Sequence, residues 1–326
     1  MSTLPTHSKS LTRHPPSPTL SLTSLPLPSA SPPYHLIRTH ATTLTSGELT
    51  WPEPLSLPTS IPGFDLAGTV VVAPPDSPFQ PGEKVYALTS FSRQGNAREY
   101  SVALTEELAT MPRGVTWEEA ASVPLSALSA WQALFVHAGL SAPGKEGGES
   151  AGRKRVLVTA AAGGVGVWAV QLARAAGAEV VGTCGAANGE FVRGLGADEV
   201  LDYKVTDLKE WVGAEEGRRF DVTLDCVGGK TLEDAWTCVK DGGVVISVAQ
   251  PPETMKPTEG IRTDVRSVWF IVESNGQQLG EIKRLVEDGK CKGVVDSVWE
   301  IENWEKALER LKGGHTRGKV VLKLAE

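Results

Sequence analysis

Residues 156–166 read Val-Leu-Val-Thr-Ala-Ala-Ala-Gly-Gly-Val-Gly. A continuous apolar run, of the kind buried on both faces of a sheet, ends in a cluster of small residues. A helical pattern starts directly behind it: Val165, Trp168, Ala169, Leu172 and Ala173 fall at helical spacing and stop at Gly177. Counted from Ala161, the cluster is Ala-x-Gly-x-x-Gly through Gly163 and Gly166, a Gly-x-Gly-x-x-Gly with alanine in first place. Between a strand and a helix, this turn suits one kind of chemistry. Small residues let the backbone approach a pyrophosphate, Gly166 lets the first helical turn press on the sheet, and the free amides near Gly164 and Val165 face negative phosphates. A plain packing turn is the alternative, and the alternation of strands and helices that follows favours the dinucleotide.

The nucleotide can be read one strand further on. An NAD site usually carries Asp or Glu about 20 residues after the glycines to hold the ribose hydroxyls. Here that stretch is Gly182-Thr-Cys-Gly-Ala-Ala-Asn188, without an acid. Its absence admits a 2′-phosphate, for which Thr183 and Asn188 offer donors with Tyr203 and Lys204 nearby, so NADPH is the expected cofactor. No arginine occupies the loop itself.

Other constellations carry less. Gly148-Glu-Ser-Ala-Gly152 spells the Gly-x-Ser-x-Gly of hydrolases, but it lies in a charged, glycine-rich loop that leads into a strand, the reverse of the context that exposes such a serine. His35 and His40 are five apart on an expected strand, on opposite faces, and cannot share a metal. Cys184, Cys226, Cys238 and Cys291 contain no Cys-x-x-Cys pair and form neither a disulfide framework nor a zinc ribbon; they fit a reducing compartment. Cys184 and Cys226 read as buried thiols rather than redox switches. Trp51, Trp269 and Phe270 could wall an apolar pocket or serve as core, with nine tryptophans in the chain.

The elements that position the motif follow from periodicity. Pro-punctuated strands fill 1–33, where Leu20, Leu22 and Leu25 alternate; the same acid-free Ser/Thr/Pro text also fits a transit peptide. From Tyr34 to Tyr100 short apolar strands alternate with Pro62-Gly63 and Pro81-Gly82 turns, which reads as a compact antiparallel β domain. Trp117 to His137 is helical in texture with a break at Pro124, and 141–154 is a polar surface loop. Strands at 156–159, 179–183, 199–201, 221–225 and 243–247 then alternate with helices, which predicts a doubly wound parallel sheet. Helices near 278–288 and 301–311 and a strand at 319–324 close the chain. With 326 residues, 40% apolar and 22% charged, the chain has room for about two globular domains. No stretch is apolar for long enough to cross a bilayer. Net charge is −7, and because 1–47 hold Lys9, Arg13 and Arg38 but no acid, the remainder sets 29 basic against 39 acidic side chains. Such a body repels polyphosphate, so nucleic acid and membrane are not the expected partners.

Taken in order, several passages resemble the medium-chain dehydrogenase/reductase superfamily, in its zinc-free quinone-oxidoreductase (zeta-crystallin-like) branch. They are Ile61-Pro-Gly-Phe-Asp-Leu-Ala-Gly-Thr69, Gly82-Glu-Lys-Val-Tyr86, Arg98-Glu-Tyr100, the run from Ala121 to Leu134, Ala161 to Gly166, Gly196-Ala-Asp-Glu-Val-Leu-Asp-Tyr203, Asp225-Cys-Val-Gly-Gly229 and Gly318-Lys-Val-Val-Leu322. The resemblance implies a GroES-like β-rich catalytic domain in 1–125, completed by 273–326, and a Rossmann NADP-binding domain in 126–272. It implies cofactor contacts at Ser129, Ala161, Gly163, Gly164, Val165, Gly166, Thr183, Cys184, Asn188, Tyr203, Val227, Gly228, Val248, Phe270, Ile271, Val272 and Lys319. Thr45 falls where the branch often has Asn beside the nicotinamide and is the catalytic candidate, a donor to substrate oxygen or ribose; Trp51 and Trp269 are the pocket candidates.

The departures matter as much. Zinc-dependent relatives place a cysteine ligand in the segment matching 41–48 and a His-Glu pair after the Pro-Gly; here the segment has no cysteine and the pair is Phe64-Asp65. No metal is therefore expected. Without zinc to acidify an alcohol, the easier reaction is hydride delivery from NADPH to a quinone or an activated C=C bond of an enal or enone. A stand-alone enoyl reductase of a biosynthetic, polyketide-like pathway is the rival enzyme reading, and a non-catalytic nucleotide-binding regulatory protein is the rival from another class. A small electrophilic substrate, a cytoplasmic location and a homodimer complete the expectations.

Overall fold

The computed structural model describes residues 4–14, 19–50, 59–144 and 153–324. The chain opens with β1 (His7–Arg13), β2 (Leu20–Pro26), β3 (Tyr34–Leu44), β4 (Asp65–Val72), β5 (Lys84–Leu88), β6 (Tyr100–Leu104) and β7 (Leu108–Thr110). Helices α1 (Trp117–Ala121) and α2 (Pro124–Trp131) follow, and a π-turn over Gln132–His137 extends the latter. An alternating run comes next: β8 (Arg155–Val158), α3 (Gly164–Ala175), β9 (Glu179–Cys184), α4 (Gly189–Gly194), β10 (Glu199–Asp202), α5 (Leu208–Gly213), β11 (Phe220–Asp225), α6 (Gly229–Cys238), β12 (Val239–Ser247) and β13 (Arg266–Trp269). The chain closes with α7 (Gly276–Glu287), β14 (Val295–Glu300), α8 (Trp304–Lys312) and β15 (Lys319–Lys323).

These elements form an α/β protein of two units, Met1–Leu128 with Glu273–Glu326, and Ser129–Val272. The second is a six-stranded sheet in the order β10-β9-β8-β11-β12-β13 with every neighbour parallel. The order runs outward in both directions from β8, which leaves a crevice beside the carboxyl end of β8 where such sheets bind ligands. The apolar runs of β8 and β11 are buried on both faces, and the largest side chains sealed inside this unit are Trp168, Trp236 and Phe220. The expected doubly wound parallel sheet is therefore present.

The first unit holds a seven-stranded sheet in the order β14-β15-β3-β4-β5-β7, with β6 paired to β3. It is mixed rather than purely antiparallel, because β14 lies parallel to β15. The proline-rich start supplies the hairpin β1–β2, in register from His7 against Pro26 to Arg13 against Leu20. Leu11 and Leu20 pack into a core with Ile61, Ala97, Ile301 and Leu322. Among the described residues no helix is long and apolar enough to cross a membrane. His35 and His40 are separate: His35 bonds Ser77 Oγ at 2.7 Å, whereas His40 stacks on Trp117 with ring centres 4.2 Å apart.

Candidate functional site

Two constellations stand out, one in each unit. In the parallel unit the chain leaves β8 through Thr159 and turns on Ala160, a non-glycine residue held at φ +47°. L-residues with side chains avoid that region, and such outliers gather where a loop must be shaped for a ligand. Ala160 O accepts from Gly163 N at 2.8 Å, Ala161 N donates to Thr183 O at 2.9 Å, and Gly163 in extended conformation caps α3. A Cβ on Gly166 would lie 2.2 Å from Ala160 O and 2.7 Å from Ala161 Cα, so the helix presses on its own loop and only glycine fits. A Cβ on Gly182 of β9 would likewise meet Ala161 Cβ at 2.9 Å. The first amides of a 12-residue helix, which have no intrahelical partner, thus open at the carboxyl end of β8 beneath a loop without bulky side chains. A diphosphate fits this arrangement.

Around this turn the remaining sequence candidates gather at the carboxyl ends of neighbouring strands. Thr183 and Cys184 are the buried last residues of β9, and Asn188 closes the short turn after it. No acid ends β9. Instead Tyr203 and Lys204 flank Gly185: a Cβ there would lie 3.8 Å from the Tyr203 ring and 4.0 Å from Lys204 Cε. Asp202, which directly precedes Tyr203, accepts from Lys204 N at 3.0 Å. Val227 is exposed and Gly228 adopts φ +82°, just after β11; Val248 follows β12, and its N–H donates to Asp225 O at 3.0 Å. Phe270, Ile271 and Val272 follow β13, with Ile271 exposed and Phe270 packed on His137, ring centres 4.4 Å apart. Trp269, the last residue of β13, is 47% exposed and so is not a core residue. Ser129 is buried in α2. Trp51, like the Gly-x-Ser-x-Gly stretch, lies outside the described residues.

Asp225 ties this crest together, a role that sequence reasoning missed. Fully buried, it accepts from Thr159 Oγ1 at 3.0 Å, Ser247 Oγ at 2.9 Å and Gly228 N at 2.8 Å, and so fastens the ends of β8, β11 and β12. Thr159 Oγ1 in turn accepts from Cys226 N at 2.8 Å. The signal was an aspartate ending an apolar strand, where a carboxylate needs several donors to be tolerated. The Cys226 thiol is pushed far above its usual range by burial and by the charge of Asp225, as suits an inert thiol.

The second constellation lies in the mixed-sheet unit, at the end of β3. Lys319, at the start of β15, sends its ammonium to Asp65 Oδ2 at 3.3 Å and to Thr45 Oγ1 at 3.0 Å. Asp65 is 1% exposed and Lys319 5%. The other oxygen of Asp65 accepts from Leu125 N at 2.7 Å, and Thr43 Oγ1 donates to Oδ2. Glu48 is buried as well; it accepts from Thr45 N at 2.9 Å and from Gly63 N. Burial raises the Glu48 carboxyl to about 7, against the pull of those two amides and of Lys319, with Asp65 adding to the rise. Gly63 has φ +81°, and a Cβ there would meet Thr42 Oγ1 at 2.8 Å. Thr45 and Lys319, separate candidates in the sequence, are thus hydrogen-bonded to each other. The ammonium expected at the cofactor is engaged by Asp65 and Thr45. Glu48 and Asp65 were passed over as functional residues, because their link to Lys319 spans more than 250 residues of chain.

Comparison with known proteins gives a consistent picture. The family described as "Zinc-binding dehydrogenase" matches residues 195–322. A relative from Arthroderma benhamiae named "Probable zinc-binding oxidoreductase, mitochondrial" is 47% identical over 329 residues, covering 99% of each chain. The "Chloroplast envelope quinone oxidoreductase homolog" of Arabidopsis thaliana is 36% identical over 80% of this chain and 79% of its own. The Danio rerio "NAD(P)H oxidoreductase RTN4IP1, mitochondrial" is 29% identical over 81% of this chain and 72% of its own. Among solved structures, the quinone oxidoreductase from Coxiella burnetii aligns with a TM-score of 0.84 at 26% identity, covering 98% of this chain and 100% of its own. The expectation of a cytoplasmic protein is overturned here: the Arthroderma and Danio relatives are both named mitochondrial. Cysteine usage reports only a reducing environment, which does not separate the cytoplasm from an organelle interior, whereas the acid-free start also fits a transit peptide.

Proposed function

The chain belongs to the medium-chain dehydrogenase/reductase superfamily, as an oxidoreductase of the quinone-oxidoreductase type with a nicotinamide cofactor, and we propose that it is a zinc-independent, NADPH-dependent reductase of quinones or of the activated C=C bonds of enals and enones. The observation that carries this reading is the commitment of Asp65. It stands where zinc-dependent relatives have the acid of their His-Glu pair, and both of its oxygens are taken by Lys319, Thr43 and Leu125 N. A carboxylate so engaged is a poor ligand for a cation, and no cysteine precedes Cys184 to complete a soft donor set.

Ala161, Gly163, Gly164, Val165 and Gly166 would hold the pyrophosphate, and Thr183, Cys184, Asn188, Tyr203 and Lys204 the adenosine ribose with its 2′-phosphate. Ser129, Val227, Gly228, Val248 and Phe270 to Val272 would line the rest of the cofactor, with Trp269 as a wall for substrate. When bound, the reduced nicotinamide supplies a hydride and leaves negative charge on the substrate oxygen. Thr45 is the residue that answers that charge. Its Oγ1 already accepts from Lys319, so its own proton is free to point at a substrate oxygen, and Glu48 fixes the backbone beneath it through Thr45 N. The charge of Lys319, conveyed through that hydrogen bond, strengthens the hydroxyl as a donor.

The test is oxidation of NADPH and NADH against a panel of enals, enones and quinones, with and without chelator. Turnover that prefers NADPH and ignores chelation is expected. Thr45→Val should lower kcat/KM about tenfold, the weight of one lost hydrogen bond to a charged oxygen. Preference for NADH, loss of activity on chelation, or a Thr45→Val enzyme with unchanged kcat and KM would each remove the corresponding part of the reading.

A further inference from the structure

Among the described residues, Arg98 is a buried cation without a counter-ion. It is 7% exposed, and among the described residues its guanidinium makes one hydrogen bond, from Nη2 to Pro26 O at 3.1 Å. Its Nε is buried with no acceptor, and no carboxylate pairs with it among the described residues. Burial draws its pKa down to about 10, so it remains charged at neutral pH. A neighbour shows how the fold treats an arginine it means to neutralise: Arg93 pairs with Glu107 and lies over the Tyr34 ring, 5.4 Å from its centre. Among the described residues Arg98 has no such partner, and a buried charge left unpaired is destabilising.

The surroundings of Arg98 hold no counter-charge, and one side of it opens on a cavity. Arg98 forms an antiparallel bridge with Ser10 of β1, which sets the two side chains on one face; Ser8, two residues back, shares it. Ser8 and Ser10 are 3% and 0% exposed and neither lines the cavity; among the described residues their hydroxyls lack a partner, so nothing on this face neutralises Arg98. Arg98 also lines a cavity of about 320 Å³ with Ser29, Tyr34, Arg93, Gln94 and Ser101. The walls carry the Arg98 guanidinium, the hydroxyls of Ser29 and Ser101 and the ring of Tyr34, with no acid among them, while the Arg93 guanidinium and the Gln94 amide are engaged by Glu107 and by Thr59 O. A water molecule takes up about 30 Å³ in the liquid, so the cavity has room for a group larger than a bare phosphate.

We propose that this cavity is a binding site for a small organic oxyanion, whose phosphate or carboxylate group pairs with Arg98 while its body lies along Tyr34. The site draws on none of the residues assigned to hydride transfer or to the dinucleotide, and its occupancy stabilises the protein by pairing a charge that is otherwise stranded. It would couple the stability of the β1–β2 hairpin, which Arg98 bridges, to the concentration of that anion.

The experiment is a thermal-shift titration of the full-length protein, saturated with NADPH so that the dinucleotide loop cannot take up the probe. Inorganic phosphate and malonate, at constant ionic strength set with a large organic anion, are the two probes. Wild type is expected to gain several degrees with at least one of them, phosphate reporting a phosphoryl ligand and malonate a carboxylate ligand. Arg98→Met is expected to lose that gain while melting no lower than wild type in probe-free buffer, because it removes an unpaired charge. Arg98→Lys is expected to keep a reduced gain. An equal gain in wild type and Arg98→Met, or none in wild type with either probe, overturns the proposal. Should Arg98→Met fail to fold, broadening of the chloride-35 resonance by wild type, reversed by the effective probe, is the second reading; no broadening overturns it.

Discussion

At the tip of β8 the chain turns on alanines and glycines and opens the unpaired amides of α3, whereas at the end of β3 it seals Glu48, Asp65 and Lys319 from water and gives each charged atom a protein partner. The first region works by the absence of side chains and the second by their mutual satisfaction. The difference teaches where tolerance to change lies. A loop that needs only backbone shape fails when bulk is added, and a buried ion cluster fails when a partner is taken away.

The largest effect should come from taking one away. Lys319→Met leaves Asp65 buried and unpaired, which costs about 3–5 kcal/mol and lowers the melting temperature of this unit by roughly 10 °C. Adding Asp65→Asn should restore part of the loss, because the stranded charge is gone; a double variant no better than the single one would show that the pair does not matter as a pair.

The pH dependence of stability comes next. Glu48 titrates near 4.5 when unfolded and near 7 when folded. Below pH 4.5 both states are protonated and the contribution is complete. Between 4.5 and 7 the folded state keeps a proton that the unfolded state has released, so stability falls with rising pH by about 3 kcal/mol and is level above 7. Glu48→Gln should flatten that slope in denaturant titrations across this window; an unchanged slope would place its origin elsewhere.

In the open region the effects are smaller and fall on binding. Lys204→Glu puts a carboxylate beside Gly185 and should weaken the proposed preference for NADPH over NADH about tenfold, near 1.4 kcal/mol, read from the ratio of kcat/KM values. Ala160→Gly relieves the φ +47° conformation and should shift stability by less than about 1 kcal/mol in either direction, since glycine also gains freedom in the unfolded chain. A loss of several kcal/mol would mean that the methyl of Ala160, and not its backbone, holds the turn.

The same contrast explains what could be read before the structure was seen. The turn from Thr159 to Val167 was legible because its requirement is local: small residues at fixed offsets between an apolar run and a helical period. The parallel sheet was legible for the same reason, each strand being a short apolar run bounded by turns. The cluster around Thr45 was legible only in pieces, since Thr45, Glu48, Asp65 and Lys319 meet through the pairing of β15 with β3 and of β3 with β4. Asp225 was passed over although it stands at the end of an apolar strand, because its donors are gathered from the ends of three strands. The N-terminal text gave strands but not their pairing; only the register of β1 with β2 and the bridge from Ser10 to Arg98 bring that arginine to a cavity. The mixed character of the first sheet was hidden too, as a parallel pair made through the helix α8 leaves no mark in the alternation of either strand.

The central claim is that the turn before α3 holds the diphosphate of a reduced nicotinamide dinucleotide. Titration of wild type and of Gly166→Val with NADPH, followed by nucleotide fluorescence and by protection against melting, tests it most directly. Saturable binding with a raised melting temperature in wild type, lost in a Gly166→Val protein that still folds, is the predicted result. Absence of both signals in wild type with NADPH and with NADH, or undiminished affinity in the variant, would contradict it.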